Sequence, residues 1–221
     1  MILGFVKNTE GVFYFHNNKF NMKYTITCAL LTFLSLSVYA TNPSITDTLP
    51  YREIPNYPEK YTPETVVIRM IEGLGFRYYW ATEGLTAKDL AFKPSNKART
   101  SEETIDHILG LSNIILNAML KKVNGTSGEE ISVLKFEDKR RITLENLKKA
   151  NDLLQNNKGN IEEYKIIFKN GDKTTEYPFW NLINGPIEDA VWHVGQVVSF
   201  RRSSGNPFNG KASVLTGKLR Q

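Results

Sequence analysis

Apolar positions recur at helical spacing in four stretches of this chain. The first opens at Thr62-Pro63-Glu64, where a hydroxyl N-cap precedes a proline whose missing N–H costs nothing in a first helical turn. It continues to about Glu83 through Val67, Met70, Ile71, Leu74, Tyr78 and Trp80, and Gly73 and Gly75 within it point to close approach of a neighbour. After a connection from Thr86 to Arg99, Thr100-Ser101-Glu102-Glu103 forms a capping box and opens a second helix that reaches about Lys122. A third runs from Glu137 to Asn156 on Ile142, Leu144, Leu147, Ala150, Leu153 and Leu154, with Lys139, Arg140, Arg141, Lys148 and Lys149 expected on its wet face. Between Tyr164 and Pro178 the period changes to two, and Asn170-Gly171 predicts a small β-hairpin. The fourth helix spans Phe179 to Ser204 and stops at Gly205-Asn206-Pro207, with a kink expected at Gly185-Pro186. Helices of about 20 residues, each near 30 Å long, bury a continuous core by packing lengthwise, so the pattern predicts an all-α domain, a four-helix bundle with a hairpin inserted before its last helix.

The ends of the chain follow other rules. Met22-Lys23, the apolar run from Tyr24, and Val38 and Ala40 before Thr41 have the order of a secretory leader. The run is shorter than the roughly 20 residues of a spanning helix. Residues 1–21 show no period and would place the basic start in mid-chain, so they read as an extension ahead of a true initiator at Met22. Residues 22–40 are then the signal peptide and residues 41–61 a proline-rich extended lead-in laid across the domain surface. The bundle occupies 62–208 and a tail 209–221. An exported protein follows, periplasmic if the cell is Gram-negative.

Charge changes this picture little. The net charge of +5 falls to +3 beyond residue 40, where 25 basic and 22 acidic side chains remain. That is too mild and too dispersed for a nucleic-acid partner. The single cysteine, Cys28, lies in the leader, so the exported part has no disulfide, thiolate metal site or cysteine nucleophile.

Chemistry must therefore come from other groups. Beyond residue 40 the only histidines are His107 and His193, each inside an expected bundle helix. His107 sits at the edge of its helix's apolar face. On the last helix Leu182, Asp189, His193, Gln196 and Phe200 share a narrow wedge flanked by Trp192 and Val197, with Ile187, Val191, Val194 and Val198 forming a second apolar face. A helix apolar on two sides is expected at the centre of its bundle. Asp189 and His193, four apart, stack on one surface and can converge on one point, the spacing a helical pair of metal ligands needs. The same spacing serves a plain structural Asp–His hydrogen bond equally well. Gln196 is expected to support a ligand or to bond substrate, and Trp80, Trp192 and Phe200 to line a pocket. Of Arg201 and Arg202, adjacent and diverging, at most one would face an anionic substrate.

The run Gly185-Pro186-Ile187-Glu188-Asp189-Ala190-Val191-Trp192-His193-Val194-Gly195-Gln196, with Arg201-Arg202 and Gly205-Asn206-Pro207, resembles the last-helix signature of the DinB-like (YfiT-like) metalloenzyme superfamily. Leu85-Thr86 with Asp89-Leu90, then Glu103 to Ile108, is similar to that family's first-ligand region, and the likeness covers about Pro58 to Phe208. The resemblance implies a bundle of up-down-down-up path and a divalent metal held by three histidines. By position those ligands fall on His107, Asp189 and His193, with aspartate standing where many members have histidine. Two histidines and a carboxylate suit zinc, nickel, manganese or iron and leave positions open. The function implied is a metal-dependent transferase or hydrolase acting on a small molecule. The alternative is a non-catalytic exported binding protein whose metal site is degenerate or structural. No membrane insertion is expected after leader removal, and a homodimer is left open.

Overall fold

A computed structural model describes residues 49–125, 128–156 and 160–221. The expectations for residues 1–21, 22–40 and the start of the lead-in lie outside the described residues. The described chain is mostly helical, with small sheets. Its long helices are α1 (Pro63–Thr82), α3 (Ser101–Met119), α5 (Phe136–Gln155) and α7 (Glu188–Ser203). α1 and α3 each pack against both α5 and α7. The four therefore close around one apolar core that includes Ile71, Ile105, Ile115, Leu144, Leu147, Ala190 and Val197. Short helices α2 (Ala87–Leu90), α4 (Gly128–Ser132) and α6 (Phe179–Leu182) connect them. Among the described residues, no helix is long and apolar enough to cross a membrane.

The caps read in the sequence form as the hydrogen-bond chemistry requires. Thr62 Oγ1 accepts from the Thr65 N–H at 3.3 Å, while Thr65 Oγ1 accepts from the Thr62 N–H at 2.8 Å. At the start of α3, Thr100 Oγ1 accepts from Glu103 N–H at 3.1 Å and the Glu103 carboxylate accepts from Thr100 N–H at 2.7 Å. The kink before α7 is a π-turn over Ile183–Ile187, with Gly185 at φ −91°, ψ −107° where the proline ring excludes regular helix.

Three expectations need correcting. The hairpin is present as β2 (Ile166–Asn170) and β3 (Lys173–Tyr177), but its turn is Gly171-Asp172, one residue later than Asn170-Gly171, because Asn170 pairs with Lys173. β1 (Val123–Asn124) adds to β2 in parallel, making three strands. The face of α5 expected to be wet is partly dry: Lys139 is 1% exposed, paired with Asp106 at 2.6 Å and Glu102 at 2.9 Å on α3. Burial opposes its charge, but the two carboxylates outweigh this and raise its pKa. Arg140 similarly turns back to Glu83 and Thr82 at the end of α1. Finally, α7 is apolar on one side only, since Glu188, Trp192, Gly195 and Ser199 are exposed along its outer edge.

The lead-in and tail do more than lie on the surface. Tyr51, at φ +70°, is buried against α1, and its hydroxyl accepts from Asn151 Nδ2 at 2.9 Å. Ile54 donates its N–H to Gly217 O at 2.8 Å, in the loop between β4 (Ala212–Ser213) and β5 (Lys218–Leu219). The close approach expected at α1's glycines is made at Gly75, where an added Cβ would lie 2.4 Å from Tyr51 Cδ2 and 2.5 Å from its Cγ. The ring is fixed at both ends and cannot step aside. Gly75→Ala is therefore expected to destabilise by about 1–3 kcal/mol despite alanine's better helix propensity. A urea midpoint equal to or above that of the unaltered protein would contradict this packing.

Candidate metal centre

His107 reaches the site from the first half of α3, and Asp189 and His193 from successive turns of α7. Two features set the rotation of α3: the capping box at Thr100, and the Asp106–Lys139 ion pair, which fastens the neighbouring residue to α5. On α7 the π-turn sets the phase instead. Beyond it, residues 189 and 193 come round to face α3 while Ile187, Ala190, Val194 and Val197 enter the core.

The three side chains converge. His107 Nε2 lies 3.3 Å from Asp189 Oδ2, and His193 Nε2 lies 3.3 Å from Asp189 Oδ1. The imidazole rings stand edge to face, centroids 4.5 Å apart at 89°. One donor atom from each residue falls within 4.8 Å of the other two, so all three could hold a single ion. The side chains of His107 and Asp189 are 35% and 34% exposed and that of His193 is 15% exposed, which leaves the centre open on one flank.

Gln196 sits where the sequence places it, and its partner is the ligand itself. His193 Nδ1 is 2.7 Å from Gln196 Oε1, so Nδ1–H donates to the amide oxygen and the Nε2 lone pair is turned toward Asp189. Two acceptors, Nε2 and Oδ1, then face each other at 3.3 Å. With the imidazole neutral, a shared cation relieves that contact, and a divalent ion fits this donor set. Burial holds the His107 imidazole below its usual pKa, aided by the positive charge of Arg99 and opposed by Asp189. Neutral imidazole is the ligating form. His107 thus stays competent through neutral pH, and divalent-metal affinity is expected to fall only as pH drops below about 6.5. Affinity that does not change between pH 8 and 5 would count against imidazole ligation.

The expected pocket residues divide. Phe200 joins His193 and Gln196 along one cleft of about 380 Å³. His107 opens on a second, of about 350 Å³, walled by Ile114, Asn117 and the hairpin's Phe168. Trp192 is 73% exposed, its indole lying parallel to His193 with centroids 6.4 Å apart, so it edges the site without enclosing it. Trp80 is not at the site. It is buried on the opposite side of α7 with its indole N–H bonded to Arg52 O at 3.1 Å. Helical spacing on α1 could not reveal which neighbour that face meets.

Neither arginine faces the centre. Arg201 is 2% exposed and caps the end of α1, donating to the carbonyls of Trp80 at 3.1 Å, Ala81 at 2.9 Å and Glu83 at 3.0 Å. Arg202 lies over the Phe208 ring. The motif residues around them form a polar lock. Asp89 is 1% exposed and accepts from Asn206 Nδ2 at 2.7 Å, Thr86 N at 2.8 Å, Thr86 Oγ1 at 2.7 Å and Ser204 Oγ. A residue that the sequence reading passed over, Arg99, lines the His193 cleft. The available signal was the run from Lys93 to Arg99, which carries three cations and no acid. No family model and no curated protein matches the chain.

Proposed function

We propose that the protein is an exported, DinB-like four-helix-bundle metalloprotein that uses His107, Asp189 and His193 to hold one divalent ion for a hydrolase or transferase reaction on a small molecule. The observation that carries this reading is the convergence of two imidazoles and one carboxylate within 4.8 Å, with Gln196 fixing the tautomer of His193. A two-histidine, one-carboxylate set occupies one side of an ion and accepts zinc, nickel, manganese or iron. Such an ion supplies Lewis acidity and lowers the pKa of a bound water or thiol.

The chain's own residues supply the rest. Asp189 offers one oxygen to the Nε2 of each imidazole, so a single carboxylate positions both rings. Gln196 prevents His193 from turning its protonated nitrogen inward. The clefts on the His193 and His107 sides give a small substrate access from two directions. Export follows from the leader read at residues 22–40. A small-molecule substrate, with neither nucleic acid nor membrane as partner, fits the dispersed charge.

The test is plasma-emission analysis of protein purified without a histidine tag, before and after dialysis against each of the four metals. About one equivalent of metal per chain is expected. A wild-type protein that carries none and binds none at micromolar concentration defeats the reading and leaves a metal-free binding protein.

A further inference from the structure

The connection between α2 and α3 carries Lys93, Lys97 and Arg99 without an acidic residue. Its Pro94, Ala98 and Arg99 line the cleft of about 380 Å³ that also contains His193, Gln196 and Phe200. Phe92 extends the apolar wall, its ring 5.9 Å from that of Phe200. Arg99 is exposed, and among the described residues its guanidinium makes no hydrogen bond or ion pair. Its charge acts on Glu103 at the start of α3 and on His107 across the site. Three other cationic side chains near the bundle ends are committed, Arg201 to carbonyls, Arg140 to Glu83 and Lys139 to Asp106. Arg99 lines the cleft that holds His193, with no such partner.

The charges at this cleft do not balance. Neutral imidazoles and one carboxylate give the donor set a single negative charge, so a divalent ion held there leaves a positive centre. Arg99 adds a second positive charge on the wall beside it. Two positive charges facing one opening repel each other unless an anion lies between them. A guanidinium fork matches the two oxygens of a carboxylate or phosphate. The phenyl groups of Phe200 and Phe92 offer a surface for an apolar body.

We propose that the Arg99 cleft is an anion subsite, selecting a substrate whose carboxylate or phosphate group is held by Arg99 while its apolar part lies against Phe200 and Phe92. The proposal rests on the metal-centre reading only for the second positive charge, since Arg99 and the phenyl wall stand without it. The substrate class is then a small amphipathic anion.

Calorimetric titration tests this with phenylacetate, its neutral isostere phenylacetamide, and inorganic phosphate, on zinc-loaded and on chelator-treated protein. Phenylacetate is expected to bind at least tenfold more tightly than phenylacetamide in both forms, and more tightly still with zinc. Arg99→Gln should remove most of that difference while zinc stoichiometry and thermal midpoint stay unchanged. Phe200→Ala should weaken phenylacetate and leave inorganic phosphate unaffected, which separates the oxyanion contact from the apolar one. Tighter binding of phosphate than of phenylacetate would assign the subsite to phosphorylated substrates. Equal binding of acid and amide, no binding of either up to millimolar concentration, or a difference that survives in Arg99→Gln would each overturn the proposal. Failure to bind zinc would remove the metal reading alone, because the comparison on chelator-treated protein still reads Arg99.

Discussion

His193→Ala is expected to abolish stoichiometric metal. It removes one of three donors and also frees Gln196, whose bond to Nδ1 sets the ring. Asp189→Ala separates the two readings of this cluster. If the aspartate serves only as a structural partner for two histidines, its loss reduces stability and leaves metal content as it was. If it is a ligand, metal is lost while the fold, fixed by core residues such as Ala190, Val194 and Val197, is retained. Asp189→His should preserve or tighten zinc and nickel binding, because imidazole is the softer donor and the position already faces both rings. Gln196→Ala keeps all three donors but releases the orientation of His193, so affinity should fall by about 10–100-fold instead of vanishing. Metal content by plasma emission, paired with competition titration against a chromophoric chelator, reads all four variants. Wild-type metal content in both His193→Ala and Asp189→Ala would remove the triad from consideration.

Arg201→Met is expected to be the most damaging substitution outside the apolar core. The guanidinium satisfies three carbonyls at the end of α1 and also donates to the Asn206 carbonyl at 2.7 Å, all in a nearly dry setting. Methionine fills similar volume but leaves those acceptors without a donor, and breaking a buried charged network from one side costs about 3–5 kcal/mol. Asp89→Ala should cost a similar amount, since Asn206, Ser204 and Thr86 all lose their common acceptor. Because Asn206 bonds both Asp89 and Arg201, the double variant should lose less than the two single losses added together. Against a typical total of about 5–15 kcal/mol, either change alone removes a large share of stability. Urea denaturation measures each term. Single-variant losses below about 0.5 kcal/mol would show that the cluster is not a lock.

The Asp89 cluster also has a pH signature. Burial alone would raise the Asp89 carboxyl, but hydrogen bonds from Asn206, Ser204 and Thr86 outweigh it and hold the group well below the usual carboxylate range. A depressed folded-state pKa contributes stability that is complete above the ordinary value near 3.9 and is lost as pH falls toward the lower folded value. The lock therefore holds through mildly acidic conditions and fails only in strong acid.

Local sequence rules determined where the elements lie. The hydroxyl caps at Thr62 and Thr100, the proline–glycine interruption at Gly185-Pro186 and the period change near Tyr164 act over a few residues, and their hydrogen bonds close within the same turn. The spacing of Asp189 and His193 belongs to this class, because one helical turn brings them together in any fold. Tertiary structure alone decided what each face meets. The burial of Lys139 depends on Glu102 and Asp106 arriving from α3, and Gly75 matters because Tyr51 comes from a lead-in that carries no periodic signal. Trp80 and Arg201 were drawn to the far side of α7 for the same reason: helical phase fixes which residues share a face but not which neighbour covers it. His107 and Asp189, 82 residues apart, meet only because the core turns α3 and α7 toward each other. Arg99 reaches the His193 cleft from a loop, where no period exists to predict its direction. Short-range hydrogen bonding and steric rules are written in the sequence, whereas long-range charge and contact exist only once the apolar faces have chosen their partners.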